Sequence, residues 1–195
     1  MSRPEPTRTA AAILLSAIAL AGLALRLAGA GFGLPAVYNP DEVAIMTRAL
    51  SFGTGDLNPG NFLYPSLYFY VLFAWEGAAF VVFRLAGVYG SVAEFERAFF
   101  ADPTLIYLAG RALTALSGAV TIVGTYRLGS RLFGRTTGLV AGALLAVSPI
   151  AVRDGHYVKH DVPVTLLIVV AMVMLASALG SRAARRPGAW IAAGV

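Results

Sequence analysis

Two carboxylates, Asp41 and Glu42, stand side by side in the segment "YNPDEVAIMTRAL" of a chain that is otherwise short of charge. A second polar cluster, "SPIAVRDGHYVKHDVP", holds Arg153, Asp154, His156, Lys159, His160 and Asp161. A carboxylate within reach of an acceptor hydroxyl or amine acts as a general base, while cations hold an anionic leaving group. Each residue type also has a plainer role. Asp41 follows a proline, a common helix-start signal, and Asp161 precedes Val-Pro, so either acid serves equally well as a cap. His156 and His160, four apart, would share a helix face as metal ligands. The Asp154–Gly155 pair before them instead suggests a turn with solvated histidines.

What must position these residues is a membrane bundle. The chain has 195 residues, 58% hydrophobic and only 13% charged, with mean hydropathy +0.74. A soluble domain carries about a quarter charged residues, so the composition points to an integral membrane protein. There is no cysteine, which excludes disulfides and thiolate metal sites. The net charge of +5 comes from arginines that read as helix-end markers, so nucleic acid is not expected as a partner. Apolar segments run over about 10–30, 64–86, 104–126, 136–152 and 161–180, each near the length that spans about 30 Å of hydrocarbon. The first reads as a retained span rather than a signal peptide, because its long apolar run contains Arg26. The final "PGAWIAAGV" opens another apolar stretch, so the chain reads as the N-terminal part of something longer.

Charge placement sets the expected topology. Arg127, Arg131 and Arg135 form a basic loop at 127–135, and Arg182, Arg185 and Arg186 form another cluster. With Arg3 and Arg8 at the N-terminus, these assign three segments to the cytoplasm. If 64–86 also crossed, the 127–135 loop would fall outside, against that rule. The conflict vanishes if a juxtamembrane helix over 64–84 lies on the outer face, within an external loop of 31–103. Its early aromatics and central Glu76 favour the interface. The expectation is therefore an all-α polytopic bundle of four spans plus that helix, with five spans as the alternative. Arg111 should pair with an acid inside the bundle or snorkel outward. Gly134, Gly138 and Gly142 should let a neighbouring helix approach closely.

The order of features resembles the polytopic glycosyltransferases of superfamily C, in particular the group of protein O-mannosyltransferases and the bacterial aminoarabinose transferases that modify lipid A. The residues that carry the resemblance are "NPDE" leading into "EVAIMTRALSFGTGD", the aromatic-proline segment "YPSLYFYVLFAW", the stretch "GRALTALSGAVTIVGTYRLGSRLFGRTTGLVAGALLAVSP" and the turn "HYVKHDVPVTLL". The resemblance covers nearly all of 12–182. It implies a GT-C fold and transfer of a sugar from a polyprenyl-phosphate donor to a lipid, glycan or protein acceptor on the extracytoplasmic face. The multi-pass chain would sit in the plasma membrane with its N-terminus in the cytoplasm.

On that pattern Asp41, with Glu42 beside it, stands at the catalytic acidic position, and Asp161 matches a second acid. Tyr64, Tyr68, Arg153, His156 and Lys159 are the substrate and phosphate candidates. A divalent metal ion would help to hold the phosphate, with His156 and His160 as its candidate ligands. Many relatives carry His or Lys before the proline and a second proline after it. Here Tyr64 and "PSL" stand instead, leaving Lys159 or Arg153 as substitutes. Two other classes remain open. A transporter would line a path with Glu76 and Arg111, and a non-catalytic assembly subunit would use the external loops for docking.

Overall fold

The computed structural model describes residues 5–60 and 62–180. The Arg182–Arg186 cluster, the "PGAWIAAGV" stretch and Arg3 lie outside the described residues. Among those described there is no strand, and the helices are α1 (Arg8–Ala28), α2 (Pro40–Ser51), α3 (Ser66–Leu85), α4 (Val92–Ala101), α5 (Thr104–Phe133), α6 (Arg135–Val147), α7 (Pro149–Asp154) and α8 (Asp161–Gly180). The chain is all-α and polytopic in character. Arg8–Ala28, Ser66–Leu85, Thr104–Phe133 and Asp161–Leu179 are long and apolar enough to cross a membrane.

Local chemistry explains the boundaries. Thr7 Oγ1 accepts from the amide of Ala10 at 3.2 Å and opens α1. Asn39, in extended conformation, accepts from the Asp41 amide at 3.1 Å, and Pro40 fills the first helical position of α2. The helix-start signal is thus Asn39–Pro40, and Asp41 is not the cap. Asp102 accepts from the Thr104 amide at 3.1 Å at the start of α5, and hydrogen bonds from the Thr104 hydroxyl and amide hold its carboxyl below the usual range. The expected 127–135 loop is instead helical as far as Phe133, and the chain turns at Gly134, φ +94°. The apolar run over 136–152 is two helices. Pro149 disfavours helical backbone at the preceding residue, and Ser148 adopts ψ 119° there.

The described residues divide into two compact units. One comprises 5–25, 116–152 and 161–180. Here a Cβ on Gly138 would lie 2.6 Å from the carbonyl oxygen of Tyr126 and 2.8 Å from the amide nitrogen of Ser130, so α6 rests directly on the α5 backbone. Gly142 continues that face, while Gly134 lies outside the helix as its N-cap. Glu5 accepts from the Arg135 amide at 3.0 Å and caps α6.

The other unit comprises 26–115 and 153–160. Its core is Ile45, Met46, Ala49 and Phe52 from α2 and the turn after it, Tyr68, Phe69 and Leu72 from α3, Ile106 and Tyr107 from α5, and Val158. The inward positions of α2 recur at helical spacing, which leaves Val43, Ala44 and Thr47 on the exposed side. A Cβ on Gly110 would come 2.7 Å from Met46 Cε, 2.9 Å from Val158 Cγ2 and 3.1 Å from Glu76 Oε1. The missing side chain therefore lets α2, α3 and the 153–160 segment meet on α5.

Candidate functional site

The two adjacent acids part company on α2. Successive helical residues point about 100° apart, and here Asp41 faces outward while Glu42 turns into the core. The Asp41 side chain is 45% exposed, with Oδ2 lying 3.5 Å from Lys159 Nζ. The Tyr64 hydroxyl donates to its Oδ1 at 3.4 Å. Tyr64 also sets its ring 4.7 Å from that of His160. One carboxylate thus gathers a phenol, an ammonium and an imidazole-bearing turn around it.

Glu42 is fully buried and accepts from Arg111 Nε at 2.9 Å and Nη2 at 2.7 Å. This bidentate pair gives Arg111 an acid partner, the first of the two outcomes expected for it. The remaining Arg111 nitrogen, Nη1, donates to the carbonyls of Ala30 at 2.6 Å and Phe32 at 2.9 Å. Its guanidinium carbon also lies 5.5 Å from the Tyr157 ring centroid. The Val158 amide donates to Glu42 Oε1 at 2.7 Å. Four stretches of chain are therefore tied to one ion pair: the 30–32 loop, α2, α5 and the 153–160 segment.

That segment brings its cations beside α2. Tyr38, Asn39, Pro40, Arg153, Asp154, Tyr157 and Lys159 line a cavity of about 430 Å³. Arg153 is exposed, pairs with Asp154 at 2.9 Å and lines the cavity. Lys159, 20% exposed, is the more confined cation and is the one against Asp41.

The other candidates fall elsewhere. Tyr68 is a core residue whose hydroxyl meets Thr114 Oγ1 at 3.3 Å, and it does not line the cavity. The His156 ring packs where a side chain on Gly29 would otherwise stand. His156 and His160 lie on a turn after α7, not on a shared helix face. Asp161 is exposed, opens α8, and belongs to the other compact unit. Among the described residues no group of three or more His, Cys, Asp or Glu is placed to hold a metal ion.

Sequence reading missed two residues of the cavity wall. Tyr157 and Tyr38 line the cavity, and nothing in their local sequence distinguishes them from other interfacial tyrosines. It also left Glu42 grouped with Asp41, where helical periodicity would have separated them.

No curated protein and no solved structure matches the chain. Residues 106–195, just under half the chain, match the family described as dolichyl-phosphate-mannose-protein mannosyltransferase. The superfamily C resemblance is thereby supported over that stretch.

Proposed function

We propose that the protein transfers a sugar from a polyprenyl-phosphate donor to an acceptor hydroxyl on the extracytoplasmic face of the plasma membrane, with Asp41 as the general base. The observation that carries this reading is the contact of half-exposed Asp41 with Lys159 and Tyr64, beside a cavity edged by Arg153. Asp41 takes the proton of the acceptor hydroxyl, and that oxygen attacks the anomeric carbon. The bond from the anomeric carbon to the phosphate oxygen breaks, its electron pair stays on oxygen, and polyprenyl phosphate leaves. Lys159 and Arg153 receive the growing negative charge on that phosphate. Tyr38 and Tyr157 line the cavity that receives the sugar in this reading.

Glu42 holds the frame in this reading and does not touch substrate. Asp161 is retained as a second acid on the resemblance alone. The accompanying topology keeps the 136–152 segment as a span with α1, α5 and α8, four in all, and lays α3 along the outer face. The test is sugar transfer by the full-length protein in proteoliposomes loaded with a labelled polyprenyl-phosphate sugar. Asp41→Asn should lower transfer by about 10²-fold or more, the usual weight of a general base, with expression unchanged. Wild-type activity in that variant refutes the assignment.

A further inference from the structure

A transferase base needs two substrates beside it, and the cavity described above accounts for one. A second cavity, about 360 Å³, lies along the exposed side of α2 and is lined by Val43, Ala44, Thr47, Arg48, Ser51 and Pro59. Asp41 and Arg48 are seven residues apart, nearly two full turns. The helix therefore brings Arg48 back to the side from which Asp41 projects, about 10 Å along the axis. Arg48 Nη1 donates to the carbonyl of Pro59. Pro59 sits within a run of side-chain-closed turns, with the Asn58 amide on Asp56 Oδ1 at 2.9 Å and the Gly60 amide on Asn58 Oδ1 at 3.0 Å. The guanidinium is thus held in place, and among the described residues no carboxylate lies within salt-bridge distance of it.

The linings of the two cavities differ in kind. The first offers two tyrosine rings, as a sugar's C–H faces require; the second has no aromatic side chain and presents small residues with one cation. An extended polypeptide advances about 3.3 Å per residue, so three residues match the axial rise between positions 41 and 48. We infer that the exposed face of α2 is the acceptor seat, and that Arg48 selects an acceptor polypeptide with a carboxylate three residues from its reactive hydroxyl. The inference rests on the transfer reading above.

The test uses the full-length protein in proteoliposomes with a labelled polyprenyl-phosphate sugar and two octapeptides. Each has one threonine, and they differ only in Asp or Asn three residues away. For wild type, kcat/KM should favour the Asp peptide by about tenfold, the scale of one charge-assisted hydrogen bond. Arg48→Gln should bring that ratio to about one with the donor KM unchanged. Thr47→Glu, at an exposed position that leaves the Arg48–Pro59 bond alone, should bring the ratio below one. Equal use of both peptides by wild type overturns the inference, as does a preference that survives both substitutions. If neither peptide accepts sugar while Asp41-dependent cleavage of the donor continues, the seat is overturned and the transfer reading stands. If no donor is cleaved at all, the transfer reading itself fails and takes this inference with it.

Discussion

The amide of Val158 donates to Glu42 Oε1 at 2.7 Å, so the residue just before Lys159 and the residue just after Asp41 share one hydrogen bond. The two groups of the proposed chemistry are each displaced by one position from a buried anchor. Backbone geometry then carries Asp41 and Lys159 outward from it, where they approach to 3.5 Å. The anchor is rigid because Glu42 also takes two nitrogens of Arg111.

Breaking that anchor should cost more than removing it whole. Glu42→Gln leaves a buried guanidinium without its counter-charge, and Arg111→Met leaves a buried carboxylate. Each is expected to destabilise the fold by about 3–5 kcal/mol, as for other buried pairs that lose one partner. The double variant should lose clearly less than the sum of the two. Thermal unfolding in detergent, arranged as a double-mutant cycle, measures the coupling. Strict additivity would show that the pair contributes nothing jointly.

Lys159 should act on the donor more than on the acceptor. Replacing it with Gln removes one charge-assisted hydrogen bond, worth about 1.5–3 kcal/mol, from the phosphate site. The expected result is a donor KM raised by about tenfold or more, with the acceptor KM little changed. Lys159→Arg should recover part of the loss, because charge is kept while the shape of the donor group changes. Steady-state kinetics with each substrate varied in turn tests this. An effect confined to the acceptor KM would remove Lys159 from the phosphate site.

Two glycines on one helix face should behave differently. At Gly138 a Cβ would come 2.6 Å from the Tyr126 carbonyl oxygen, an obstruction by backbone and not by the end of a flexible side chain. Gly138→Ala is therefore expected to cost about 1–3 kcal/mol through overpacking. At Gly142 the nearest atom is the Ile122 carbonyl oxygen at 3.5 Å, an ordinary contact. Gly142→Ala should be neutral, or stabilising by up to about 1 kcal/mol from helix propensity. Denaturation of the two variants side by side decides it, and equal losses would remove close packing as the explanation.

The same contrast shows what the amino-acid order makes legible. Helix content followed from long apolar runs with few charges, and the start of α2 was written in Asn39–Pro40. The break before α7 was written in Pro149. The fates of Asp41 and Glu42 were harder to read. Their separation depends on which side of α2 meets the core, and the partner that captures Glu42 lies 69 residues away in α5. Local spacing carries no record of such a pairing. The same holds for Tyr68, whose aromatic company resembled an interfacial belt until its hydroxyl was found on Thr114 within the core. Asp102 shows the opposite case: its cap on Thr104 spans two residues, and short-range rules suffice.

The course of α3 is open to a direct test at α4. If α3 lies along the outer face, then α4 is extracytoplasmic and α5 runs inward, bringing Arg127 and Arg131 to the cytoplasmic side. If α3 crosses, α4 is cytoplasmic and those arginines end outside. Ser91 caps α4 by accepting from the Glu94 amide at 3.2 Å, so replacing it would disturb the helix. Ala93 is exposed in the first turn and serves better. The chain contains no cysteine, so Ala93→Cys introduces a single thiol. A membrane-impermeant maleimide should label it in intact cells, or in right-side-out vesicles, without permeabilisation. Labelling only after the cytoplasmic face is opened would establish that α3 spans the membrane. It would also place Asp41 and the α4 loop on opposite sides, since α3 lies between them in the chain.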